Sequence, residues 1–169
     1  VTFFNISCGI FAIYFLTHDE FMGAALFAWL AGAFDIFDGK IARKYNLSTE
    51  FGIQLDSYAD FLSFVIVPAM FIYFAIFDGK ESFYNMALIA FVFIYYVISG
   101  LRRLIQFNIN ANEGEVEKYF TGIPTPLGAI LLWVVYLIYL TDYVNEYFVL
   151  GSIIIIGYLL NSKIKIKHL

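Results

Sequence analysis

Apolar residues fall in six blocks, at about 3–16, 21–38, 52–77, 83–101, 123–140 and 147–160, with polar and charged residues in the breaks. None of the blocks sustains the apolar–polar alternation of a half-buried strand, so the pattern predicts helices joined by short loops. A helix needs roughly 17–25 apolar residues to cross a bilayer. Only 83–101 (FYNMALIAFVFIYYVISGL) meets that length unaided; several others are short or carry polar residues. The set of six carries the prediction, because six such blocks leave little chain for anything else.

Composition strengthens this reading. The chain has 169 residues, 62% of them apolar and only 14% charged, against roughly 45–50% and about 25% in soluble domains. A soluble chain of this size cannot hide so much apolar side chain, which excludes a soluble globular enzyme, a disordered tail and a disulfide scaffold. Cys8 is the lone cysteine. No basic, cleavable leader precedes the first block, so no signal peptide is expected. The net charge of −4 offers no basic surface, and no nucleic-acid partner is expected.

Charge placement gives an orientation. Six spans with both termini on one side put 39–51, 102–122 and 161–169 on that side. Those stretches hold Lys40, Arg43, Lys44, Arg102, Arg103, Lys118, Lys163, Lys165 and Lys167; only Lys80 falls opposite. The positive-inside rule makes that side cytoplasmic. The expectation is an all-α integral membrane protein of the cell membrane, multi-pass with six transmembrane helices, forming a single domain over 1–169. The K-I-K-I-K run at 163–167 reads as an anchor for anionic lipid. Trp29 and Trp133 read as packing residues inside spans, and Pro68 as a kink.

Of fourteen acidic residues, ten lie in or beside loops, where water solvates them. The other four are Asp35, Asp38, Asp56 and Asp60. Asp35 and Asp38 are spaced i,i+3 near the end of the second block, and Asp56 and Asp60 are spaced i,i+4 near the start of the third. Each spacing puts two carboxylates on one helix face. Counting spans from the far ends places both pairs at the cytoplasmic boundary. Carboxylates crowded there repel one another and resist ionisation. Hard divalent cations relieve the repulsion, and Mg²⁺, Mn²⁺ or Ca²⁺ suits oxygen ligands. Pairing with Arg43 or Lys44, or reaching into the headgroups, is the alternative for any one of them.

From Asp35 the sequence reads D-I-F-D-G-K-I-A-R, eight residues, then G-I-Q-L-D-S-Y-A-D. This resembles the CDP-alcohol phosphotransferase family, whose signature is D-x-x-D-G-x-x-A-R-x8-G-x3-D-x3-D. Asp35, Asp38, Gly39, Ala42, Arg43, Gly52, Asp56 and Asp60 fill every fixed position across 26 residues. The resemblance implies a six-helix fold with the active site at the cytoplasmic end of helices 2 and 3. It implies that a hydroxyl attacks the lipid-linked phosphorus of a CDP-lipid and CMP leaves. Asp35, Asp38 and Asp56 would then hold one or two divalent ions. Asp60 would act as the general base, with contact to a metal as well. Asp38, Gly39, Ala42, Arg43 and Gly52 would receive the CDP-lipid. For the three small residues helix packing is the alternative, and Arg43 would touch a phosphate or lock an aspartate. Homodimers are common in the family, so a homodimer among membrane lipids is expected. A second I-F-D-G-K at 76–80 lacks the A-R continuation and reads as an Asp-Gly turn.

The second half carries S-G-L-R-R-L-I-Q-F-N (99–108) and Y-F-T-G-I-P-T-P (119–126), which look like the phosphatidylserine synthase branch of that family. Gln106 stands where a second arginine is usual. A serine carboxylate wants a guanidinium fork, and Arg102 or Arg103 can supply one; flanking of the membrane by positive charge is the alternative. Asn108 and Thr125 are further candidate acceptor contacts. Acceptors with their own phosphate, such as glycerol 3-phosphate or inositol phosphate, call for a more basic pocket, so L-serine is favoured. A carboxylate-lined ion carrier is the reading from another class, but it has no reason to keep the glycines and the eight-residue spacer.

Overall fold

The computed structural model describes the backbone of residues 2–45, 49–79, 83–112, 119–162 and 165–167, and side chains within 2–37, 49, 51–79, 85–109 and 122–162. It divides into two compact units, Val1–Ala75 and Ile76–Leu169.

In the first unit α1 (Thr2–Leu16) and α2 (Phe21–Tyr45) form an antiparallel hairpin. Ring pairs Phe4–Phe34 (5.9 Å), Phe11–Phe27 (5.3 Å) and Phe15–Phe27 (5.4 Å) run along it. The buried stripe of α1 is Asn5, Cys8, Gly9, Ala12 and Leu16. That of α2 includes Ala24, Ala28 and Ala31. Both stripes follow helical spacing, and small residues let backbones approach where lipid gives no hydrophobic drive to association.

The third helical rod starts as α3 (Glu50–Asp60), capped by Thr49, whose Oγ1 accepts from the Gly52 N–H at 3.0 Å. It continues as a π-helical segment Phe61–Ile66, then α4 (Val67–Ile72), then a second π-helical segment Tyr73–Phe77. Pro68 sits in the first turn of α4 and has no N–H to give. Just before it the ladder has already widened, with the Val67 N–H reaching the Leu62 carbonyl five residues back. Pro68 is thus met by a π segment.

The second unit contains α5 (Phe83–Asn112), α6 (Thr125–Tyr139) and α7 (Glu146–Leu160). Its core is Val92 and Tyr96 of α5, Ala129 and Leu132 of α6, and Val149, Ile153 and Leu160 of α7. Asn145 caps α7, its side chain accepting from the Phe148 N–H at 3.1 Å.

Among the described residues six helical rods, with α3 and α4 in one, fall on the six apolar blocks, with three departures. α2 runs on to Tyr45, and α5 runs eleven residues past Leu101 to Asn112. Arg102, Arg103 and Asn108 are therefore helical, because R-R-L-I-Q-F-N holds good helix formers and no Gly or Pro. The chain is also not purely helical. β1 (Tyr119–Thr121) pairs antiparallel with β2 (Lys165–Lys167), Phe120 opposite Ile166. Part of the expected lipid anchor is thus a strand, and K-I-K has the period of two that a strand needs. Asp78 and Gly79 form the expected turn, Gly79 at φ +72°.

Two helical stretches, Phe51–Phe77 and Asn85–Ile109, are long and apolar enough to cross a membrane; Thr2–Leu16, Phe21–Phe37, Thr125–Tyr139 and Glu146–Leu160 are shorter apolar helices. Large apolar side chains stand outside, Met22 at 84% exposure and Phe91 at 74%. Trp29 belongs with them at 67%, contrary to the expected packing role. Trp133 is half-buried, its ring edge-on to Tyr136. So much exposed apolar surface suits a lipid environment.

Candidate active site

Asp35, Asp56 and Asp60 come together. Each offers a carboxylate oxygen, and the three oxygens lie within 4.8 Å of one another. Two elements build this. α3 sets Asp56 and Asp60 one turn apart on one face. α2 supplies Asp35 from the hairpin packed on the same rod. All three are half-buried, and Asp60 Oδ1 is shut off from solvent.

Ionised oxygens at about that separation repel by roughly 3–4 kcal/mol per pair at an effective dielectric of about 20. The repulsion needs an answering positive charge. Oxygens touching one hard cation at about 2.0–2.6 Å lie at most roughly 4–5 Å apart, so the three residues fit a shared divalent ion, with no imidazole or thiolate among them.

Asp38, Gly39, Ala42 and Arg43 occupy the last turns of α2, with side chains outside the described residues. Gly52 is in the first turn of α3, where an added Cβ would meet Thr49 Oγ1 at 3.1 Å and, among the described residues, nothing else within 4 Å.

In the second unit the sequence candidates divide. Arg102 is exposed and Asn108 half-buried on α5. Thr125, the first residue of α6, is buried at 4% exposure. Arg103 is buried as well, and its Nε–H donates to the Ile123 carbonyl at 3.2 Å. The Ile123 N–H in turn donates to the Leu159 carbonyl at 3.2 Å, and Asn161 Nδ2 donates to the Ser99 carbonyl at 2.9 Å. Gly122 takes φ +82° against the end of α7. Arg103 thus ties the G-I-P turn to α5, a main-chain role that residue type alone did not indicate.

A further polar pair went unnoticed in the sequence. Asn5 and Ser63 are buried and bonded to each other, one turn along the rod from Asp60. A lone asparagine inside an apolar block was the available signal.

Apolar helices that gather carboxylates at a spacing suited to a hard cation define a class: membrane-associated helical proteins with an acidic cluster able to hold a metal. Comparison narrows the class, and the chain belongs to the CDP-alcohol phosphatidyltransferase family, whose description matches residues 1–160. Among similar proteins, the CDP-diacylglycerol–serine O-phosphatidyltransferase of Bacillus subtilis (strain 168) is 31% identical over 169 residues, covering 99% of this chain and 88% of that protein. The protein of the same name from Methanocaldococcus jannaschii is 34% identical over 166 residues, covering 98% and 70%. The archaetidylserine synthase of Methanothermobacter thermautotrophicus is 31% identical over 163 residues, covering 95% and 65%.

Proposed function

We propose that this chain transfers a phosphatidyl-type group from CDP-diacylglycerol, or an archaeal-type CDP-lipid, to the hydroxyl of L-serine, releasing CMP. The observation that carries the reading is the carboxylate trio Asp35, Asp56 and Asp60, seated inside the full family signature. The names of the similar proteins support serine as acceptor. The chain acts as one six-span domain in the cell membrane, a homodimer with both termini and the site on the cytoplasmic side, where nine of ten basic residues gather.

In this reading the serine oxygen forms a bond to the lipid-bearing phosphorus, and the bond from that phosphorus to the CMP oxygen breaks. CMP carries off the electron pair, and the serine proton passes to Asp60. Asp35, Asp56 and Asp60, and from the sequence pattern Asp38, would hold a divalent ion (Mg²⁺, Mn²⁺ or Ca²⁺), which would supply charge neutralisation on the diphosphate. Asp60 would take the serine proton, as the member of the trio with an oxygen shut off from solvent. Gly39, Ala42 and Gly52 would leave room for the nucleotide and Arg43 would answer a phosphate; from the sequence, Arg102 and Asn108 would serve the acceptor.

The test offers the purified protein CDP-diacylglycerol with Mn²⁺ or Mg²⁺ and, separately, L-serine, glycerol 3-phosphate and inositol phosphate, following CMP. Serine-dependent release is expected. Release only with a polyol phosphate refutes the acceptor, and no release with any acceptor refutes the transferase.

A further inference from the structure

Asn5 is fully buried in α1 and Ser63 is buried at 3% exposure in the π-helical segment that starts directly after Asp60. The Ser63 hydroxyl donates to Asn5 Oδ1. Helical serines usually turn back to the carbonyl four residues earlier, as Ser7, Ser57 and Ser152 do here at 2.8, 3.1 and 2.8 Å. Ser63 instead reaches across to another helix, 58 residues away in sequence. The approach of α1 is close throughout this stretch: a Cβ on Gly9 would stand 2.9 Å from Leu62 Cδ2 and 3.5 Å from Ser63 Oγ. α1 therefore grips the second and third residues of the widened segment.

This pair is a poor choice for stability. Asn5 Nδ2 is shut off from solvent and has no hydrogen-bond partner among the described residues. A buried, unsatisfied amide costs about 1–3 kcal/mol, and an apolar pair of similar size would avoid it. What the polar pair provides is register. Asp60 is the last residue of α3 before the ladder changes from α to π, so the geometry of 61–66 sets how Asp60 is held relative to the rod below it.

We propose that the Asn5–Ser63 hydrogen bond is a positioning device that holds Asp60 in the carboxylate trio. The inference rests on the reading of the trio as a divalent-metal site. Asn5 and Ser63 act through Asp60, as outer-shell partners do at other metal centres.

The experiment measures Mn²⁺ affinity, from the electron paramagnetic resonance signal of free Mn²⁺, on full-length protein in detergent. Asn5→Ala and Ser63→Ala should each weaken Mn²⁺ binding by about 10-fold, with the double variant no worse than either. In an Asp60→Asn background, Asn5→Ala should change affinity by less than about two-fold, because the group being positioned is gone. Melting curves should show the Asn5→Leu, Ser63→Ala double variant, which removes both polar partners, at least as stable as the parent. Unchanged Mn²⁺ affinity in both alanine variants overturns the proposal, and so does an equal loss in the Asp60→Asn background. Should the Mn²⁺ pattern hold while the parent protein releases no CMP, the transferase reading falls and the positioning role stands.

Discussion

Gly122 is the position where the backbone leaves least freedom, and replacing it with alanine has a calculable effect. Its φ of +82° lies in the left-handed region, which costs a residue with a Cβ roughly 1–2 kcal/mol. The added Cβ would sit 2.5 Å from the Leu160 carbonyl oxygen and 3.1 Å from both the Leu160 carbonyl carbon and the Ser162 carbonyl oxygen. Favourable contacts lie near 3.5–4.0 Å, so main chain must shift by about 1 Å. That shift pulls on the Ile123–Leu159 and Arg103–Ile123 hydrogen bonds, each worth about 0.5–1.5 kcal/mol. Together these give a loss of roughly 3–5 kcal/mol, or a fall in Tm on the order of 10 °C. Gly151 is the control. It lies within α7, nothing within 4 Å awaits its Cβ, and Gly151→Ala should gain about 0.5–1 kcal/mol from helix propensity. Thermal melting of both variants in detergent, followed by circular dichroism, checks the pair. A Gly122→Ala protein melting within about 2 °C of the parent would refute the reasoning.

Asp60→Asn should abolish turnover yet retain some CDP-lipid binding, whereas Asp56→Asn should weaken metal-dependent binding further; equilibrium binding of CDP-diacylglycerol with and without Mn²⁺ separates them. Arg103→Lys should destabilise by about 1–3 kcal/mol, since an ammonium cannot reproduce the Nε contact to the Ile123 carbonyl, while Arg102→Lys at an exposed position should shift Tm little. Thr49→Ala removes the cap of α3 and should cost about 1 kcal/mol, with faster hydrogen exchange at the Gly52 amide.

The sequence pattern located the six helical rods of the described residues because six apolar blocks together leave little chain for anything else. Their ends were harder to read. Gly39 looks like a stop signal, yet α2 passes through it to Tyr45. α5 outlasts its apolar block because arginine and glutamine continue a helix as readily as leucine does. The three-residue strands were hidden because neither is long enough to stand out from a loop, and each exists only against the other. Of the site, the carboxylates were legible because i,i+3 and i,i+4 spacing declares a shared face. The π segment after Asp60 was not, since a widened turn depends on Pro68 and on what α1 presses against it. The Asn5–Ser63 pair and the Arg103–Ile123 bond join residues 58 and 20 apart, and no local pattern encodes either.

The central claim is that Asp35, Asp56 and Asp60 form one metal-assisted centre for CMP release. Titrating Mn²⁺ into wild-type and Asp35→Asn proteins with CDP-diacylglycerol and L-serine, and measuring CMP, tests it most directly. Asp35 belongs to a different helix from the other two, so only the folded trio makes it matter to them. Wild-type release should saturate with Mn²⁺ and vanish with EDTA, and Asp35→Asn should lose about 100-fold or more in rate or require far more Mn²⁺. An Asp35→Asn protein that releases CMP at the wild-type rate with the same Mn²⁺ dependence would contradict the account.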